Sequence, residues 1–518
     1  MPRWLESFIA PPALGIFLRR LRAPDIRLAL RLCLPAALVA IAVRILLLAC
    51  MPAAFVHNDT GAALETAERL LARGAFALDV KKTFLAPTLY CVPALLHLPV
   101  LPFLAVVQHL LGVGLVFMTG LLTFAWLKHW RAFIVPVTLA TALNPVLLWY
   151  EHTALAETFA IFGIVFVALT ATAFARSPSR YTFGLLLLAL LFMAGARPEG
   201  RLFGLFALVL VIRVLWGRWR PFRIAVPIIF AWTILLFAIT RTGQSGVLLF
   251  TSVLQLTPDH LVVSPGIAET VRPLAERTRA DWRGDEPPKL VRIRKELQAT
   301  LAVIGVRPDP IAKRAGLETA LRNLPALPDL ALRKFVIAHR ELPCGDFDTY
   351  PIAGQLDALT DGGEDLHDLR YADLLWGRKL ATPEAAQAFL AATYHPLPGN
   401  FLTRFLTAWE SFSVGSIAPI SLPGSRAAGV AIHGLPWLYT AALLGLLCLA
   451  FRDRTPLNFH QLWGAFLLGL FLVIMVTANI RARFRVLFEP FWILYALAVL
   501  DTVLILLARW LPLRRSSK

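Results

Sequence analysis

An all-α polytopic membrane protein, with about ten transmembrane helices and a mainly helical extracytoplasmic domain, is the fold class this sequence predicts. Three observations predict it. The chain is apolar throughout, its apolar runs reach spanning length from end to end, and its basic residues concentrate in alternate short connections.

The apolar excess comes first. Of 518 residues, 58% are hydrophobic and mean hydropathy is +0.66, where soluble domains hold roughly 45–50%. This sets soluble globular classes aside. Spans of the roughly 20 residues a bilayer requires are expected near 30–52, 101–126, 132–149, 154–175, 181–196, 201–216, 224–241, 428–450, 460–478 and 488–508. Before them, residues 3–21 are expected as an interfacial amphipathic helix rather than a cleavable signal.

Charge then orients the spans. The formal charge is +18, yet residues 242–410 hold 19 Lys and Arg against 21 Asp and Glu. The excess of base therefore lies outside that region. It falls on Arg19/Arg20/Arg22, Lys128/Arg131, Arg176/Arg180, Arg218/Arg220/Arg223, Arg452/Arg454 and Arg514/Arg515/Lys518. Those are the connections on one side of a ten-span chain, the positive-inside pattern, and not a nucleic-acid face. Both termini are then expected in the cytoplasm of a bacterial inner (plasma) membrane.

Four divisions follow: a cytoplasmic amphipathic segment 1–29, an N-terminal transmembrane module 30–241 with a catalytic first outer loop, an extracytoplasmic domain 242–427, and a C-terminal transmembrane module 428–518. Helical spacing recurs in 290–304, 312–323 and 386–393. The five cysteines have no metal-ligand spacing, and only Cys91 and Cys344 could meet outside the membrane as a disulfide.

The chemistry-bearing residues cluster on the outer side, and polar groups at membrane depth are functional candidates by default. His57-Asn58-Asp59-Thr60-Gly61 follows the first span; Asp59 suits a helix cap and equally a catalytic base. Pro87, Tyr90, Pro93 and Pro99 suggest a broken, surface-lying segment or a simple proline-rich turn. A tight outer turn carries Glu151, His152 and Glu157, the last inside an apolar run where it needs an arginine, a metal or a proton. Arg197-Pro198-Glu199-Gly200 reads as an interfacial charged hairpin or a head-group site. Arg481, Arg483 and Arg485 lie outside, against the positive-inside bias, and precede Glu489. They read as phosphate ligands, or as lipid contacts with Arg485 paired to Glu489.

Together these residues suit one reaction. Arginines hold a leaving phosphate and stabilise its developing charge, and one carboxylate takes the acceptor proton.

At these residues the chain resembles the GT-C superfamily of integral-membrane glycosyltransferases, and among them bacterial relatives of protein mannosyltransferases and aminoarabinose transferases. The resemblance covers about 30–241 and 428–508 and rests on Asp59, Pro87-Tyr90-Pro93, Asn144-Pro145 to Glu157, Arg197–Gly200 and Arg483–Pro490. It implies an inverting transfer of a monosaccharide from a polyprenyl-phosphate donor to a glycan, lipid or protein acceptor. Asp59 would be the catalytic base. Glu151, His152, Glu157, Arg197, Glu199, Arg481, Arg483 and Arg485 would form the substrate site. The family often has two adjacent acids where this chain has Asn58-Asp59-Thr60, which leaves a divalent-metal requirement open. A lipid-linked oligosaccharide ligase or polymerase, and a membrane transporter, are the rival readings.

Overall fold

The structure is a computed structural model that describes residues 24–57, 60–73, 83–240, 308–327, 347–360, 372–380, 382–395, 397–414, 421–422, 432–433, 437–452, 459–477 and 486–510, with a few isolated positions between 272 and 299. The expected interfacial helix 3–21, most of 290–304, and the residues Asn58, Asp59, Cys344, Arg481, Arg483 and Arg485 lie outside the described residues.

The architecture is helical. In chain order the helices are α1 (Pro24–Cys50), α2 (Thr60–Arg73), α3 (Leu85–Leu95), α4 (Val100–Trp126), α5 (Trp130–Leu143), α6 (Pro145–Glu151), α7 (Glu157–Arg176), α8 (Arg180–Ala196), α9 (Leu202–Leu215) and α10 (Trp219–Ile239). The polar region contributes α11 (Pro308–Arg322), α12 (Gln355–Thr360), α13 (Ala372–Trp376), α14 (Pro383–Thr393) and α15 (Phe401–Val414). The chain closes with α16 (Trp437–Arg452), α17 (Phe459–Thr477) and α18 (Glu489–Trp510). Among the described residues, extended pairing is confined to Ser421–Leu422 against Ile432–His433 and one bridge, Phe55 with Thr153.

A helix lies at each expected span. Among the described residues, five are long and apolar enough to cross a membrane: α1, α4, α7, α10 and the stretch Val486–Ala508. A sixth qualifies if the bent pair α5–α6 is one span. Length and apolarity over the described residues thus support five or six crossings of the ten expected. The other helices at expected spans are shorter over their described residues; α9, with 14 residues, covers about 21 Å at 1.5 Å per residue, so a crossing there would draw on its flanking residues to cover the roughly 30 Å of a hydrocarbon core.

Two details depart from the sequence reading. The span expected at 132–149 is bent by 48° between α5 and α6. Asn144 caps a new helix there, its side chain accepting from the Val146 and Leu147 amides at 2.9 and 3.2 Å. Pro145 has no N–H to continue the old ladder. The expected tight outer turn near 150 is therefore helix end, folded into the bundle. The proline-rich stretch 85–95 is likewise a helix, with Tyr90 buried at 2% exposure.

The bundle has two polar ends. At the lower end Arg131 pairs with Asp25 at 3.2 Å. Nearby, Asp501 of α18 is wholly buried and accepts four hydrogen bonds, from Lys128 N (2.9 Å), Arg452 Nη1 (3.0 Å), His129 N (2.9 Å) and His129 Nδ1 (2.8 Å). Arg452 also donates to the Trp126 carbonyl at 2.9 Å, and the Trp126 ring stacks on Phe491 and Tyr495. This knot fastens the C-terminal helices to α4 and α5. Gly445 permits the closest approach of α16 to α18, since a Cβ there would sit 1.6 Å from the Tyr495 carbonyl oxygen. At the upper end Asn144 Nδ2 donates to Glu489 at 3.3 Å, which brings the start of α18 to the break between α5 and α6.

Candidate functional site

The upper end is organised around a strap, Met51–His57, between α1 and α2. Pro52 ends the first helix, and the strap's peptide groups find partners on both sides. Toward the bundle, Ala54 N donates to Leu101 O (3.2 Å), Phe55 N to His152 O (2.7 Å), and Ala154 N to Phe55 O (2.8 Å). Toward the polar region, Val56 N donates to Gln355 Oε1 (2.9 Å), while Tyr350 Oη donates to Val56 O (3.0 Å) and Tyr394 Oη to Ala54 O (3.4 Å). His395 N reaches Cys50 O at 2.9 Å. The Phe55 ring, fully buried, sits among Trp149, His152, Tyr350 and Tyr394. Burial pushes the hydroxyls of Tyr350 and Tyr394 above their ordinary titration range, and Asp357 adds to the effect at Tyr350.

The strap leads into α2 through a closed turn. His57 N donates to Thr60 Oγ1 at 3.0 Å and Thr60 N to His57 O at 2.8 Å. Thr60 Oγ1 and Tyr90 Oη both donate to Ala154 O at 2.9 Å. The residues on either side of Asn58 and Asp59 are thereby anchored to the segment that joins α6 to α7.

Beneath the strap lies a buried charged network. Arg44, in the apolar α1, meets Glu151 bidentately, Nε to Oε2 at 2.7 Å and Nη2 to Oε1 at 2.6 Å. Its Nη1 donates to the carbonyls of Ala40 and Ala142, each at 3.1 Å. A fork of donors suits a carboxylate in this geometry, and the extra carbonyl contacts satisfy the remaining guanidinium face. His109 Nδ1 lies 3.1 Å from Glu151 Oε2, and His109 Nε2 lies 3.0 Å from His152 Nδ1. Arg44, Glu151, His109 and His152 are each 3% exposed or less.

A second cluster sits where α7 begins and α8 ends. Arg197 Nη1 lies 3.4 Å from Glu157 Oε1, and Arg197 Nε lies 3.3 Å from Glu199 Oε2. Arg197 has left the helix for an extended backbone, as the residue before Pro198 must. Glu199 is the more open of the two carboxylates, its side chain 27% exposed against 7% for Glu157. Between α4, α6 and α7 a small cavity, with room for about one water molecule, is lined by Gly112, Leu115, Leu147, Glu151, Thr158 and Phe162.

Of the residues singled out in the sequence, Glu157, Arg197 and Glu199 come together. Glu151 and His152 lie inside the bundle in the Arg44 network, where both Glu151 oxygens are engaged and the His152 carbonyl receives the Phe55 amide. Asp59 and Arg481, Arg483 and Arg485 lie outside the described residues; their described neighbours Thr60 and Glu489 both belong to the upper end. Sequence reasoning missed Arg44, Gln108, His109 and Asp501. Each is an ionisable or amide side chain within an apolar run, which is a signal in itself. Among the described residues, no group of three or more His, Cys, Asp and Glu is arranged to hold a metal ion. Cys91 is a buried free thiol.

No protein-family model matches this chain, and no curated protein matches it.

Proposed function

We propose that this chain is a membrane glycosyltransferase of the GT-C kind. It moves a monosaccharide from a polyprenyl-phosphate donor to a glycan, lipid or protein acceptor at the outer face of the bacterial inner membrane, and it crosses that membrane ten times with both termini inside. Asp59 takes the proton of the attacking hydroxyl. Arg481, Arg483 and Arg485 hold the departing phosphate, and the Glu157–Arg197–Glu199 cluster shapes the sugar pocket.

The observation that carries this reading is the meeting of three segments at one end of the bundle. The strap that runs into Asp59, the Glu157–Arg197–Glu199 cluster and the start of the helix that follows the arginine run all belong to the upper end. The strap is bonded along both edges, and such rigidity suits a catalytic carboxylate, because misplacement by about 1 Å can cost about a hundredfold in rate. An inverting displacement of a good leaving group needs one base and a cationic phosphate site, and both residue types flank this end in the sequence.

Transfer of radiolabelled sugar from synthetic polyprenyl-phosphate donors, with purified protein in nanodiscs, tests the reading. Wild-type protein should transfer and Asp59→Asn should lose at least about a hundredfold, within the range for a general base. Arg483→Ala should weaken donor binding. Full activity in Asp59→Asn would remove the mechanism. Uptake of solute by proteoliposomes, without transfer, would move the chain to the transporter class.

A further inference from the structure

The buried chain Arg44–Glu151–His109–His152 has a direction, and the direction has a consequence for the strap. Glu151, paired bidentately with Arg44, is a carboxylate and can only accept hydrogen bonds. His109 Nδ1, 3.1 Å from Glu151 Oε2, must then carry a proton. A neutral His109 has no second proton, so its Nε2 accepts, and the donor is His152 Nδ1 at 3.0 Å. A neutral His152 is left with a bare lone pair on Nε2. That nitrogen is buried and makes no well-aligned hydrogen bond in the structure, while the main chain of Met51 and Ala53 lies within hydrogen-bond reach of the ring.

We infer that Arg44, Glu151 and His109 form a one-way relay that presents a proton-accepting nitrogen of His152 to the strap, making His152 a pH-sensing positioning residue for the candidate base. Two neutral imidazoles bring two protons to three junctions: Glu151 with His109, His109 with His152, and His152 with the strap. One junction is necessarily empty. A proton taken from solvent by Nε2 fills it and turns His152 into a donor toward the carbonyls of Met51 and Ala53. The strap is then held by one further bond, eight residues or fewer before Asp59. Among the described residues, the ionisable groups around His152 are those of the relay itself, together with Tyr90 behind Ala154 and Tyr350 and Tyr394 behind Phe55. This inference rests on the transferase reading only for its link to Asp59; the protonation states stand apart from it.

Protein labelled with 15N-histidine, reconstituted without substrate, tests the relay. Signals are assigned by their loss in His109→Gln and His152→Gln. At neutral pH both Nε2 atoms should show the unprotonated type of shift and both Nδ1 atoms the protonated type. Glu151→Gln supplies an amide donor toward His109 Nδ1, so both rings should reverse. On acidifying the wild type, Nε2 of His152 should protonate, and amide protection in 51–57, taken relative to the intrinsic exchange rate at each pH, should rise in step. A protonated His152 Nε2 at neutral pH would overturn the relay, as would protection in 51–57 that ignores the titration. If Glu151→Gln does not fold, the wild-type titration alone decides. Correct tautomers in a protein that transfers no sugar would leave the relay standing and remove only the transferase reading.

Discussion

The Glu151 carboxylate lies directly against the backbone of α4 at Gly112, where an added Cβ would stand 2.2 Å from its carboxyl carbon and 2.2 and 2.3 Å from its oxygens. Gly112 is the space that the Arg44 pair occupies. Gly112→Ala should therefore displace the carboxylate and cost about 3–5 kcal/mol, the usual range for breaking a buried pair. Thermal unfolding in detergent measures it. Combining it with Glu151→Asp, which shortens the side chain, should recover part of the loss; no recovery would mean that the alanine acts through something other than this contact.

Arg44 and Glu151 offer a sharper case, since each is about 3% exposed. Arg44→Met or Glu151→Leu alone strands a charge and should destabilise by about 3–5 kcal/mol, while the double replacement should restore most of it. A double-mutant cycle on chemical unfolding reads the coupling. Additive single effects would show that the two charges do not depend on one another.

The strap's grip on the polar region is testable at Gln355, the acceptor for the Val56 amide. Gln355→Leu removes that acceptor and leaves a buried donor unpaired, at about 1–3 kcal/mol. Hydrogen exchange at 51–57 should accelerate more than exchange in α4. Equal changes in both would point to global loosening.

Alkaline pH tests the burial of Tyr350 and Tyr394. Burial raises their hydroxyls above the ordinary tyrosine value of about 10 in the folded chain. The unfolded chain therefore sheds these protons first, so stability is flat below about pH 10 and falls above it. Unfolding midpoints between pH 8 and 11.5 measure the fall, and Tyr350→Phe with Tyr394→Phe should flatten it. An unchanged slope in the double variant would place the alkaline sensitivity elsewhere.

At the lower end, Asp501→Ala strips an acceptor from four donors. It should lower the unfolding midpoint substantially while leaving transfer per folded molecule near wild type, since the knot lies at the other end of the bundle from Glu157 and Arg197. A loss of activity larger than the loss of folded protein would tie the two ends together.

Much of this architecture was legible because lipid-facing helices declare themselves by composition, and helix lies in every one of the ten runs, the one at 132–149 being split between α5 and α6. The helix break at Asn144-Pro145 was visible as residues, yet its outcome depended on Asn144 capping a new helix, which a proline alone does not specify. That Glu157 needs a partner could be read by eye because it sits inside an apolar run, with an arginine, a metal and a proton all open. The partnership of Arg44 with Glu151 could not. The two are 107 positions apart, and only the packing of α1 against α4 and α5 decides which acid an arginine meets. Asp501 failed to stand out for a different reason: its partners include two peptide amides, which carry no mark in a sequence.

The way the polar region grips Met51–His57 sets what can vary there. Gln355, Tyr350 and Tyr394 address peptide N–H and C=O groups, which nineteen of the twenty amino acids supply alike. Recognition at Val56 is thus blind to side-chain identity. Drift at that position is tolerated as far as the neighbouring packing allows, with proline the one replacement that deletes the donor itself.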